Sequence, residues 1–172
     1  MLIDEFLAEH DFAETHDIVI DAKPGKIYSV ANEIDFSESW IIYSLMRLRG
    51  MSGGNLRLRD LHRFKFEMLG SVANKEMVIG LIGKFWTLGG TLQKTDASRF
   101  KTFNTAGFAK AAWNFSLNAD GENTRLTTET RIKCLDDESR RSFGFYWTVV
   151  QPFSGIIRME MLRAIKRKSE AI

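Results

Sequence analysis

Cysteine and histidine are scarce in this chain, and the scarcity narrows its chemistry. Cys134 is the single cysteine among 172 residues. That excludes a disulfide framework and a thiolate zinc site. The three histidines, His10, His16 and His62, never fall four residues apart on a helix, so no metal site is expected. Proline is limited to Pro24 and Pro152, which leaves no proline-rich linker. No apolar run approaches the roughly 18 residues a membrane helix needs. The strongest, Met77–Ile82, is hemmed in by Lys75, Glu76 and Lys84. Gly80-x-x-Gly83 and Gly89-Gly90 lack the lysine and the strand–helix setting of a phosphate loop, so kinks or close backbone approach explain them better.

Charge of one sign is also missing. With 24 Lys+Arg against 22 Asp+Glu the net charge is +2, too small to suggest nucleic acid as a partner. Hydrophobic residues make up 44% of the chain, too many for disorder. Length and composition predict a single domain over residues 1–172, with its core from about 15 to 170. The first residues, Met1-Leu2-Ile3-Asp4-Glu5-Phe6, are acidic where a secretory signal is basic, so a cytoplasmic location is expected. Residues 158–172 are the one basic stretch, with Arg158, Arg163, Lys166, Arg167 and Lys168. Cations at a helix C-terminus suit the helix dipole.

What is present is clear periodicity. His16–Asp21 alternates as a first strand. Pro24 starts a helix over Lys26–Asn32, and Asp35-Phe36-Ser37 caps a second over Glu38–Arg49. Leu56–Phe64 reads as a short helix, Lys65–Gly70 and Lys75–Ile82 as strands, and Leu92 to Asn104 as one or two strands. Two long strands follow. In Phe108–Leu117 the residues Ala109, Ala111, Trp113, Phe115 and Leu117 share a face. In Thr124–Cys134 the residues Leu126, Thr128, Thr130 and Ile132 do. With Asp120-Gly121 as the turn, Phe115 pairs with Leu126 and Trp113 with Thr128, so both apolar faces coincide. Asp136-Asp137 caps a helix from Glu138 to Lys168, which Pro152 and Ser154-Gly155 should kink or interrupt. The order is α+β: a strand, two short helices, antiparallel strands and a long last helix to cover them.

This order resembles the START-like helix-grip superfamily (SRPBCC), which includes birch-pollen allergens, lipid-transfer START domains and polyketide cyclases. Four strings are similar to a bacterial branch of it: Glu76–Trp86 (EMVIGLIGKFW), Ala111–Phe115 (AAWNF), Asn123–Arg131 (NTRLTTETR) and Tyr146–Leu162 (YWTVVQPFSGIIRMEML). The resemblance runs from His16 to Glu170. It implies a curved antiparallel sheet wrapped around the last helix, with a cavity between them for an apolar or amphipathic small molecule. It carries no catalytic residues across, because the superfamily shares no catalytic motif.

Candidate residues follow from which side chains converge on that interior. Trp40, Tyr43, Trp86, Trp113, Phe115, Tyr146, Trp147 and Phe153 would supply an aromatic wall, and Thr128 and Thr130 hydroxyl anchors. Arg125, Glu129 and Arg131 fall on the outer face, where they form a charge ladder with Lys110. The reverse parity would carry Glu129 and Arg131 into the cavity, at a cost that points to function. Glu67, Glu76 and Glu129 are the carboxylates to watch as general acid–base groups. Cys134 reads as an inert core thiol. The preferred function is binding or carrying a hydrophobic small molecule, without cofactor or metal. The alternatives are a cyclase/aromatase- or dehydratase-like enzyme in the same cavity, and a protein-interaction module with a collapsed one. An exposed edge strand would support a homodimer.

Overall fold

The computed structural model describes residues 1–38, 57–87 and 90–171. The helix predicted over Glu38–Arg49, with Trp40 and Tyr43, lies almost wholly outside them.

Five antiparallel strands form one sheet in the order β1-β5-β4-β3-β2. They are β1 (Phe12–Ile20), β2 (Glu67–Val72), β3 (Glu76–Gly83), β4 (Ala109–Asp120) and β5 (Asn123–Cys134). Among the described residues the helices are α1 (Asp4–Leu7), α2 (Pro24–Glu33), α3 (Ala97–Thr102) and α4 (Asp137–Glu170), with 3-10 turns at Phe36–Glu38 and Leu58–Phe64. The curved sheet grips α4 on its inner face, which is the helix-grip fold. Among the described residues no helix is long and apolar enough to cross a membrane.

The β4–β5 hairpin shows why the alternation is informative. Leu117 stands opposite Leu126 and Trp113 opposite Thr130, with Asp120 opposite Asn123. The turn is therefore Gly121-Glu122, one residue later than expected. Only Gly121 takes a positive φ, +65°, as a type II′ turn requires. Moving a turn by one residue moves the pairing by two. Strand parity is conserved under that shift, so the faces are those anticipated.

Other boundaries differ for identifiable reasons. β1 begins at Phe12, four residues before the start that the alternation suggests. β2 begins after Lys65, whose φ of 61° is incompatible with a strand. The stretch expected as strand from Leu92 to Asn104 contains a helix instead. Its Asp96 side chain accepts from the Arg99 N–H at 2.8 Å, which is an N-cap, and Phe100 is fully buried. Helix α4 runs 34 residues without interruption through Pro152. The carbonyl that Pro152 leaves without a donor is that of Thr148, which is exposed, so water can satisfy it.

The outer face of the sheet is not a solvated charge ladder. Ile3, Leu7, Leu69, Val78, Ile82, Phe100 and Ala112 make a second core there, beneath α1 and α3. Arg125 does pair with Asp17 and, at 2.9 Å, Asp120 in the open. Arg131 is buried, donating to Glu129 and Asp4 at 2.7 Å each and to the Leu7 carbonyl at 3.1 Å. Burial by itself works against its charge, and the carboxylates of Glu129 and Asp4 more than offset that, leaving its pKa raised. A charged side chain can sit under a helix here because each of its three guanidinium nitrogens has an acceptor, Nη2 donating to Glu129 Oε2 at 3.2 Å.

Candidate functional site

The inner face is apolar at both ends and polar in the middle. Period-two alternation in β1 turns Phe12, Glu14, His16, Ile18 and Ile20 toward α4. Across the sheet one row reads Glu14, Thr130, Trp113, Ile79. The next places His16 against Thr128, and Phe115 against Met77. The row beyond Glu14 is Phe12, Ile132, Ala111 and Leu81. The row beyond His16 joins Ile18, Leu126 and Leu117.

Glu14 Oε1 and His16 Nε2 are 3.0 Å apart. The Glu14 side chain is 9% exposed and that of His16 23%. Helix α4 passes directly over this pair at Gly155. A Cβ there would lie 2.9 Å from Glu14 Oε1 and 3.4 Å from the His16 ring, so glycine lets the helix backbone come this close. One turn further on, the Arg158 guanidinium lies over the Trp113 ring, 4.6 Å from its centroid, a cation–π contact. Phe66 meets the same indole edge-on at 5.0 Å.

Three polar atoms in this patch are buried without a hydrogen-bond partner: Glu14 Oε2, Thr128 Oγ1 and Trp113 Nε1. Thr128 is 1% exposed and Trp113 6%. Each such atom costs about 1–3 kcal/mol when left unpaired. Two are acceptors (the hydroxyl also donates) and the indole N–H is a donor. A single ligand hydroxyl has both capacities.

The expected residues separate into groups. Trp113, Phe115, Thr128 and Thr130 come together on the inner face. Trp86, Tyr146 and Trp147 gather with Phe12 and Phe85 around the buried Phe143. Phe153 is 49% exposed on α4, away from both. Glu67 is half-buried on the edge strand β2. Glu76 and Glu129 stand on the outer face, in bonds that fasten α1 and Arg131. Glu14 and His16 are missed by a reading that starts the first strand at His16. The signal is there: in Phe12-Ala13-Glu14-Thr15-His16, a glutamate and a histidine two apart share one strand face. The basic tail is largely neutralised, with Arg163 and Arg167 on Glu160, Lys166 on Glu170 and Lys168 on Glu38.

Cys134 takes no part in this chemistry. It is 6% exposed, and burial, followed by the nearby Asp11 and Asp136 charges, pushes its thiol up to about 12. Because the folded value lies above the ordinary 9.0, stability is unaffected by the thiol below that pH and declines as pH rises toward 12. Iodoacetamide at about pH 8 should leave the native chain unmodified and alkylate it fully after denaturation. Intact mass measures both, and rapid native labelling would contradict the burial.

The fold and the interior polar row define a helix-grip protein with a mixed apolar and hydrogen-bonding inner wall. No family model matches the chain, and no curated protein does. Among solved structures it is similar to TTHA0849 from Thermus thermophilus, with 10% identity over 92% of this chain and 97% of that one, at a TM-score of 0.39. It is similar to the Mll3558 protein from Rhizobium loti, with 10% identity over 91% and 96% and a TM-score of 0.42. It is also similar to the Zhui aromatase/cyclase from Streptomyces sp. R1128, with 15% identity over 92% and 93% and a TM-score of 0.30. These likenesses transfer no activity to this chain.

Proposed function

We propose that this chain binds a small amphipathic molecule between the inner face of the sheet and α4. The apolar body would lie against the aromatic and aliphatic wall, and a hydroxyl would lie against Glu14, Thr128 and Trp113. The observation that supports this reading is the trio of unpartnered polar atoms in one patch of an otherwise apolar face. Three separate lapses of hydrogen bonding in adjoining rows would be an odd way to build a plain core. Apolar contact supplies affinity at roughly 25 cal/mol per Å², and the polar row supplies orientation.

Two substitutions test this, the first with opposite effects on stability and on capture. Thr128→Val removes the unpartnered hydroxyl at constant shape. It should raise the stability of the free protein by about 1 kcal/mol in urea denaturation while weakening ligand capture. Trp113→Ala should weaken capture further. Native mass spectrometry of the purified chain, offered long-chain alcohols and polycyclic phenols, reads the capture. If no member of such a panel is ever retained one-to-one, the binding reading fails. A loss of stability in Thr128→Val would show that its hydroxyl is satisfied within the protein.

The Glu14–His16 contact favours an acid–base enzyme as the second reading. A carboxylate that orients an imidazole at 3.0 Å is a recurrent proton-transfer arrangement. His16→Gln separates the two: under the enzyme reading it abolishes turnover of a retained ligand, and under the carrier reading there is no turnover to lose.

A further inference from the structure

The outer face holds a feature that interior binding does not use. Between α1, α3 and the neighbouring parts of β4 and β5 lies a groove of about 430 Å³. Lys110 on β4 and Lys133 on β5 stand directly opposite each other. Lys101, from α3, lines the same groove. Like charges facing across antiparallel strands are destabilising, and a third cation beside them adds to the repulsion.

Glu9 is the one carboxylate that lines the groove; it is exposed, lies within 4 Å of none of the three ammonium groups, and leaves the cluster with an excess of positive charge. Lys133 lies 3.8 Å from Asp11, which Arg140 approaches at the same distance. Lys110 and Lys101 have no ion pair among the described residues. Lys110 is 8% exposed. It donates to the Lys101 carbonyl at 3.2 Å and lies 5.7 Å from the Phe100 ring centroid. Lys101 sits 4.6 Å from the centroid of Phe6. Burial holds the Lys110 amine below its ordinary pKa, as expected of a cation short of a counter-ion. A long side chain normally carries its ammonium out to water, and here that of Lys110 stays in. Phe6 and Phe103 give the groove apolar walls.

We propose that this groove binds a small organic anion, a carboxylate or phosphate group carried on an apolar body. The charged group is seated between Lys101 and Lys110 with Lys133 beside them, and the body lies on Phe6 and Phe103. The groove is open to solvent, so it would hold the anion at its floor and the body against its rings without enclosing the molecule. A bare inorganic ion would satisfy the lysines and leave the rings wet, which is why the apolar body belongs to the proposal. The site is on the opposite side of the sheet from the polar row, so it stands or falls independently of the interior reading.

The experiment is a calorimetric titration of the full chain at near-neutral pH and low salt with phenyl phosphate, benzoate and inorganic phosphate. Phenyl phosphate should bind saturably and at least about tenfold more tightly than inorganic phosphate, and more weakly as salt is raised. Lys101→Met and Lys110→Met should each weaken it about tenfold, and Thr128→Val should leave it unchanged. Lys101 is exposed, so its variant folds even if the Lys110 variant does not. The proposal is overturned by the absence of saturable binding at millimolar probe, or by equal affinity for phenyl and inorganic phosphate. It is equally overturned if binding is unmoved by Lys101→Met, or if it responds to Thr128→Val and so belongs to the interior.

Discussion

Phe143→Ala should cost about 3–5 kcal/mol of unfolding free energy, the usual range for emptying a buried aromatic site. Phe143 is 1% exposed. Its ring is 5.1 Å from Phe12, 5.6 Å from Trp147, 5.8 Å from Tyr146 and 6.3 Å from both Phe85 and Trp86. These neighbours come from β1, from the segment after β3 and from α4 itself. Truncation therefore leaves a void that no single element can fill by moving. The cost has a transfer part and a cavity part, and a ring of rigid aromatics makes the cavity part large because it collapses poorly. Urea denaturation measures the loss, and near-ultraviolet circular dichroism should flatten with it. Phe143→Leu keeps most of the volume and should cost clearly less. If alanine costs under about 1 kcal/mol, the ring cluster does not fasten α4 to the sheet.

Glu76→Ala should cost about 3 kcal/mol, by a different route. Glu76 is 7% exposed and accepts three hydrogen bonds. Leu2 N–H donates to Oε2 at 2.7 Å, and Ile3 N–H to Oε1 at 3.2 Å. Asn114 Nδ2 donates to Oε1 at 2.7 Å. Asn114 is fully buried, and its Oδ1 in turn accepts from the Glu129 N–H at 2.8 Å. Alanine leaves the buried donors of Ile3 and Asn114 without an acceptor, and the half-buried Leu2 N–H with them, and that penalty exceeds the net worth of the bonds themselves. The loss should be local at first. Amide exchange over Leu2–Leu7 should accelerate well before the strands are affected. Glu76→Gln keeps an acceptor and should lose only part of the stability. Unchanged exchange at the N-terminus in the alanine variant would refute the fastening role.

How much is legible depends on whether an element states its own environment. The β4–β5 hairpin does so, because alternation over a dozen residues is hard to mimic and parity survives an error in the turn. Helix α4 does too, from Phe143 to Ile165, because its apolar residues recur at helical spacing over many turns. Helix α1 cannot. Four residues hold no periodicity, so nothing in Asp4–Leu7 announces that it will cover the outer face and change Arg131 from a surface cation to a buried one. The α3 cap at Asp96 is readable and is outweighed by the β-branched and aromatic residues around it. The polar row depends on β1. A start placed at His16 leaves Glu14 outside the strand, and with it the Glu14–His16 contact. Trp113 and Thr128 are legible because they stand on the strands whose pattern is clearest.

The pairing of β1 with β5 has a consequence in time. Phe12 stands opposite Ile132 and Ile20 opposite Thr124, so the first strand made waits for roughly a hundred further residues before its partner exists. At ribosomal speeds of about 5–20 residues per second that delay is roughly 5–20 seconds. Throughout it, a strand carrying Phe12, Ile18 and Ile20 on one face has no sheet to join. Nascent chains stalled before Thr124 should therefore expose this strand to protease and chaperone, and release past Cys134 should hide it.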